Sequence, residues 1–371
     1  MHVVVGVGWA IGLLRENPPP YDSARELAEG VGVGASSYTD YDLAITETAE
    51  CWLHEKSASQ TPWADFVSLV SPHYPLSAPQ EFYDLYDPAE MDLPVGYDAE
   101  ERPTHPELKN ISAIFKYDEY FNEQKVRKAK CAYHGPTSFM DHCPGRVLQA
   151  IEESDQAENT TVIYVSDHGD MMGDLGFWTR QVMYGASAGV PMIIAGPGIP
   201  EGRRVKTDTS LLNIAATALD VTGVSHDTAS QALPGHSLRD IAQQADDRNR
   251  TEFSEYHDGG STTGTFMIRW NQWKYIHYVD VAPQLFNLDD DPNELIDLVP
   301  DEAPDAHVSD ALLEGRRRLY EICDPNEVNK QCFADQKKSI EELGGEDACL
   351  NAYVFNHTPT PNEQSKRRRR D

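Results

Sequence analysis

The stretch Thr160-Thr161-Val162-Ile163-Tyr164-Val165-Ser166-Asp167-His168-Gly169-Asp170 decides how the chain is read. Its first seven residues, TTVIYVS, are a continuous β-branched and aromatic run, the pattern of a strand covered on both faces as in a parallel sheet. A second run of this kind, VPMIIAG at 190–196, follows shortly after. Two such runs predict an α/β core of mostly parallel, layered architecture, with both strands in one sheet. The first run ends in Ser166-Asp167-His168-Gly169-Asp170, at the carboxyl end of a strand, where open α/β sheets place their ligands. Asp167 offers an oxygen and His168 an imidazole nitrogen side by side, a donor pair suited to a divalent cation. The same residues also read as a capped turn followed by a satisfied surface histidine.

Upstream, Ile45, Ala49, Trp52 and Leu53 mark one apolar stripe of a helix over 39–56. WADFVSLV at 63–70 predicts a buried strand that runs into the proline-punctuated loop Ser71-Pro72-His73-Tyr74-Pro75. The Pro- and Asp-rich stretch 76–107 reads as a surface excursion. A helical pattern returns at 122–154, where Pro136 and Pro144 predict two pieces or a kink. Downstream, Thr209–Thr222 reads as a helix with Leu211, Leu212, Ala215 and Leu219 on its packed side and Gly223 just past its end. Beyond 250, TFMIRW (265–270) and QWKYIHYV (272–279) predict an antiparallel pair, joined by a short third run, PQLFNL. His257 and Lys274 in this region read as structural. The expected organisation is a main domain at 1–247, a small antiparallel sheet at 248–300 and a helical extension with a basic tail at 301–371.

The chain has 371 residues, with 31 Lys and Arg against 61 Asp and Glu, a formal charge of −30. Nucleic-acid binding driven by phosphate neutralisation is excluded by that balance. No window is apolar enough to span a bilayer. The N-terminal MHVVVGVGWAIGLLREN lacks the basic start and small-residue cleavage site of a secretory signal. Six cysteines, at 51, 131, 143, 323, 332 and 349, show no C-x-x-C pair, so reduced thiols and a cytoplasmic location are expected. The run Lys366–Arg370 is the one strongly basic segment and reads as a solvated end.

Several ordered motifs carry a family resemblance: TTVIYVSDHGDMMGDLGFW, VPMIIAGPGIP, SPHYPLSAPQEFYDLYDP and WKYIHY with PQLFNLDDDPNELIDL. Together they resemble the sulfatase family of the alkaline phosphatase superfamily, with choline-sulfatase-like enzymes as the nearest likeness. The resemblance implies an alkaline-phosphatase-like α/β/α sandwich, N-terminally truncated, with a small C-terminal antiparallel sheet. It implies metal-dependent hydrolysis of a small-molecule sulfate ester, with Ca2+ as the ion and Mn2+ in some relatives. Asp167 and His168 match metal ligands of the family. His73, in Pro-His-x-Pro, matches a histidine that contacts the sulfate or the leaving-group oxygen. Arg180 stands where the family has a lysine, a planar fork in place of a point charge. Gly185 and Gly189 stand where the family has a glutamate and an arginine. All four candidate residues are expected to converge on one pocket.

The family's Cys-x-Pro-Ser-Arg motif, whose cysteine becomes the formylglycine nucleophile, has no match. Cys323-Asp324-Pro325-Asn326-Glu327 has Glu in the Arg position, and Cys143-Pro144-Gly145-Arg146 is one residue short. The expectation is a chain that starts inside the family's catalytic domain and is inactive as numbered. The alternatives are a non-catalytic fragment that binds an anion or a partner, and a phosphate or phosphonate monoester hydrolase of the same superfamily.

Overall fold

The computed structural model describes residues 12–16, 18, 23–34, 36–57, 59, 61–223, 234–299 and 306–350. In chain order they form α1 (Ser23–Glu29), β1 (Gly32–Val33), α2 (Ser37–Lys56), β2 (Ser77–Ala78), α3 (Gln80–Tyr83), α4 (Pro106–Phe115) and α5 (Glu123–Glu152). There follow β3 (Val162–Val165), α6 (Gly185–Ala188), β4 (Met192–Ala195), α7 (Leu212–Val221), α8 (Leu238–Gln243) and the strands β5 (Glu252–Tyr256), β6 (Thr265–Trp270), β7 (Trp273–Tyr278) and β8 (Val281–Asn287). The helices α9 (Ala306–Ile322), α10 (Pro325–Glu342) and α11 (Glu346–Leu350) complete the order. The architecture is α/β with a C-terminal four-stranded antiparallel sheet. The basic run 366–370 lies outside the described residues. Contacts divide the chain into two compact units.

One unit takes the described residues within Pro20–Pro94 and Phe115–Thr160. Its helix α2 opens with a reciprocal cap: the Ser36 side chain accepts from the Thr39 amide at 3.3 Å, and Thr39 Oγ1 accepts from the Ser36 amide at 3.0 Å. The face it buries is Asp42, Thr46, Ala49 and Leu53. Ile45 and Trp52 are only half-buried, so the expected stripe is rotated by one position. Polar residues enter the buried face because their bonds are made: the Asp42 carboxylate accepts the amides of Val70 and Ser71, each at 2.8 Å, and Thr46 Oγ1 donates to the Asp42 carbonyl at 2.7 Å. The partner helix α5 is continuous over thirty residues with Pro136 and Pro144 inside it, which sets aside the two-piece expectation. The run 63–70 is not a strand. It has no ladder partner among the described residues, and Phe66 is 87% exposed. An apolar run becomes a strand only where a neighbour satisfies its backbone.

The other unit takes the described residues within Met1–Pro19, Val95–Ile114 and Thr161–Ala352. Strands β3 and β4 do share a sheet, with Val162 opposite Ala195 and Val165 opposite Met192. The pair is antiparallel and partly exposed, with Ile193 at 61%, where the sequence predicted parallel strands covered on both faces. β-Branched composition favours a strand without setting its direction. Here the connection 166–191 folds back on itself, so β4 returns alongside β3 without a crossover helix. Helix α7 also differs from expectation: it buries Asn213, Ala216 and Thr217 and leaves Leu211 and Leu212 exposed. The Asn213 side chain accepts from the Ser210 amide and donates to the His236 carbonyl, and Thr217 Oγ1 accepts from the Leu238 amide. These bonds fix the helix rotation against its own apolar stripe.

The antiparallel sheet is as predicted for β6, β7 and β8, in order β5-β6-β7-β8. Its turns place Asn271 and Asp280 at positive φ, which these residue types tolerate better than most. β5, with two glutamates in five residues, was not legible as a strand. Phe266, Ile268, Trp270, Tyr275 and Leu285 form the core with Ala311 and Leu319 of α9. Helix and sheet approach most closely at Gly315, where a Cβ would lie 2.7 Å from that of Tyr275. Next to it Arg318, 8% exposed, donates to the Asn249 carbonyl at 2.8 Å and to Thr251 Oγ1 at 2.6 Å, with its guanidinium 5.4 Å from the Trp270 ring centre.

Candidate functional site

β3 ends at Val165 and delivers Ser166-Asp167-His168-Gly169-Asp170 at its carboxyl end. Ser166 Oγ donates to the His168 carbonyl at 2.9 Å, and Asp167 Oδ1 accepts the His168 amide at 3.0 Å. The turn is therefore closed by its own polar side chains. His168 Nδ1 lies 2.8 Å from the Gly169 carbonyl, and Nε2 lies 3.5 Å from Asp167 Oδ2. The Asp167 side chain is 82% exposed and the His168 side chain 30%. The capped-turn description thus holds as local geometry, and it leaves one carboxylate oxygen and one imidazole nitrogen adjacent.

Gly169 donates its amide to the Ser187 carbonyl at 2.7 Å. A Cβ there would fall 2.0 Å from the Ala186 carbonyl oxygen, so only glycine fits against α6. Asp170 Oδ1 accepts the amides of Met172 and Thr179, both at 2.9 Å. Burial pushes the Asp170 carboxyl above its ordinary range, an effect opposed by those two amides and by the charges of His168 and Arg180. The charges of His168 and Arg180 thus both act on that one carboxylate.

The loop between is compact. Met171, Leu175, Phe177, Trp178, Val182 and Met183 are all buried. Met172, Leu175 and Thr179 hold positive φ, a conformation that non-glycine residues keep only where the surroundings impose it. Arg180 is exposed at the end of this loop. Beside it Thr179 Oγ1 and Gln181 Oε1 are buried without hydrogen-bond partners among the described residues.

Asp167, His168 and Arg180 belong to one unit and His73 to the other. In its own unit His73 donates its amide to the Val70 carbonyl at 3.0 Å, has Nδ1 2.8 Å from the Tyr74 carbonyl, and meets Tyr38 edge-on at 5.9 Å. The loop that carries it is pinned by Asp42, a role that sequence reading missed because a lone Asp inside a helical pattern looks like a solvated position.

Calcium requires six to eight oxygen ligands. Asp167 and His168 provide two adjacent donors, and the described residues contain no group of three or more His, Cys, Asp or Glu side chains able to hold an ion. Among the described residues the donor set is therefore incomplete for calcium.

The sulfatase family profile matches residues 14–224, more than half of the chain, and the C-terminal profile of N-sulphoglucosamine sulphohydrolase matches 173–321. The chain belongs to the sulfatase family. It is 31% identical to the choline-sulfatase of Rhizobium meliloti (strain 1021), over 80% of this chain and 59% of that protein. It is 30% identical to arylsulfatase K of Danio rerio, over 81% of this chain and 61% of that protein. The chain thus spans about three fifths of the length of these curated relatives. Among solved structures, the phosphonate monoester hydrolase of Silicibacter pomeroyi superposes with a TM-score of 0.63 at 23% identity, covering 74% of this chain and 58% of that one. A 2-O GAG sulfatase superposes with a TM-score of 0.59 at 20% identity, covering 90% and 72%. These likenesses establish the α/β fold class.

Proposed function

We propose that the chain acts on small-molecule sulfate esters, with divalent-ion-dependent hydrolysis of the S–O ester bond as the reaction. The observation that carries this is the Asp167-His168-Gly169-Asp170 turn at the end of β3, with the Arg180 charge acting on Asp170, inside the sulfatase-family match. A sulfate monoester presents three oxygens bearing one negative charge. The Arg180 guanidinium suits two of them as a fork, and transition-state charge on those oxygens strengthens the contact. His73 enters on its Pro-His-x-Pro motif alone, as a donor to the sulfate or leaving-group oxygen. Asp167 and His168 would be two ligands of the ion, Ca2+ by preference and Mn2+ as the second choice. Formylglycine chemistry is the family's route, and this chain carries no Cys-x-Pro-Ser-Arg from which to form that nucleophile. A cytoplasmic location is part of the proposal, in keeping with six unpaired cysteines.

A second reading, which the exposed Arg180 at the end of the site loop supports, is an anion-binding chain without turnover. The test is one preparation of the 371-residue chain, assayed on an aryl sulfate and a phenylphosphonate ester with Ca2+ or Mn2+, and titrated calorimetrically with inorganic sulfate. Sulfate-ester turnover abolished by His168→Ala supports hydrolysis. Sulfate binding abolished by Arg180→Ala, with no turnover, supports the second reading. Absence of both overturns the two together, and preference for the phosphonate moves the substrate class within the superfamily.

A further inference from the structure

We propose that Glu294, held by Lys274, is a positioning residue for the Asp167-His168-Gly169 turn, acting through α6. This deepens the functional reading above and rests on it for the turn's role, though the contacts stand independently.

Lys274 on β7 and Glu294 are 3% and 5% exposed, and their Nζ and Oε1 lie 2.5 Å apart. Burial pulls the Lys274 ammonium below its ordinary range, and Glu294 opposes that pull. A buried pair of this kind is weak evidence for stability, because desolvation consumes much of the attraction; what it does is fix the positions of the two groups it joins. Glu294 also sits at φ 57°, a left-handed conformation unfavourable for a residue with a side chain.

The other oxygen shows what is aligned. Glu294 Oε2 accepts the amide of Gly185, the first residue of α6. Two residues on, the Ser187 carbonyl accepts the Gly169 amide, which directly follows His168. Both ends of this link are glycine contacts without slack: a Cβ at Gly185 would lie 3.1 Å from Glu294 Oε2, and one at Gly169 would overlap the Ala186 carbonyl. The sheet grips the preceding residue as well. The Gln284 side chain of β8 takes a hydrogen bond from Tyr278 at 2.8 Å and donates one to Tyr184 at 3.3 Å. A cavity of about 100 Å³, lined in part by Met171, Leu175, Tyr184, Gly185, Ala186 and Glu294, adjoins α6. Space there lets the four-residue helix shift once the Glu294 contact is lost. Sheet β6–β8 is therefore the platform on which the site turn is set.

Two double variants of the full chain separate alignment from charge pairing. Lys274→Met with Glu294→Gln removes both charges and keeps an acceptor for Gly185. Lys274→Met with Glu294→Leu also removes both charges and leaves no acceptor. Amide exchange is read residue by residue by NMR, beside the thermal midpoint. The expected result is that the Gln version keeps protection at Gly169 and Gly185, while the Leu version exchanges both on the order of tenfold faster with β6–β8 unchanged. Unchanged exchange at Gly169 in the Leu version would overturn the proposal, as would a uniform rise over the whole unit with a matching fall in midpoint. Because exchange is read without substrate, failure of sulfate-ester turnover in the parent chain bears on the functional reading alone.

Discussion

The amide of Gly169 and the carbonyl of Ser187 meet at 2.7 Å, and that bond ties the candidate site turn to α6. A methyl group at Gly169 has no room, being 2.0 Å from the Ala186 oxygen. Gly169→Ala is expected to cost about 1–3 kcal/mol through overpacking. The measurement is urea denaturation, with unchanged stability refuting the contact.

Asp42 serves two amides from one carboxylate at 1% exposure. Asp42→Ala leaves the Val70 and Ser71 donors unpaired, with an expected loss of about 2–4 kcal/mol. Exchange at residues 70–73, which include His73, should rise before the rest of that unit loosens. Asp42→Asn retains one acceptor and should lose roughly half as much.

Arg180 and a lysine in its place differ in how they grip an anion. Arg180→Ala should raise the dissociation constant for inorganic sulfate on the order of tenfold, and Arg180→Lys by roughly threefold, since a point charge replaces a fork. Calorimetry at fixed ionic strength decides it. Equal affinity in all three chains would remove Arg180 from the site.

Glu314 accepts from Arg317 and also pairs with Arg318, and these bonds hold its carboxyl down to about 2. A depressed folded value means stabilisation that is complete above the unfolded value and lost as pH falls through the folded one. Stability should therefore decline between about pH 4.5 and 2 from this group, by about 1 kcal/mol after allowance for its solvent exposure. Glu314→Gln should flatten that part of the acid limb in a pH series of denaturation curves, and an unchanged slope would contradict the pairing.

What the sequence made legible was composition-driven. TTVIYVS and VPMIIAG read as strands because β-branched runs have few other uses, and the aromatic pair at 265–279 read as a hairpin because its two runs leave room only for a short turn. The Asp167-His168 pair was found because it closes such a run. Hydrogen bonding over distance was not legible. The directions of β3 and β4, the polar buried faces of α2 and α7, and the Lys274–Glu294 pair each depend on a partner remote in sequence. The run 63–70 shows the converse, apolar composition without a ladder partner among the described residues.

Gly315 works as a keyway. With the Tyr275 ring 2.7 Å from where any side chain would begin, α9 has one azimuth at which it seats on the sheet. A turn of about 100° about its axis brings the next residue, Arg316, to the ring in place of glycine. Arg318 would then swing away from Asn249 and Thr251, and Glu314 with it. The rotational setting of the whole helix is thus indexed by a single missing side chain.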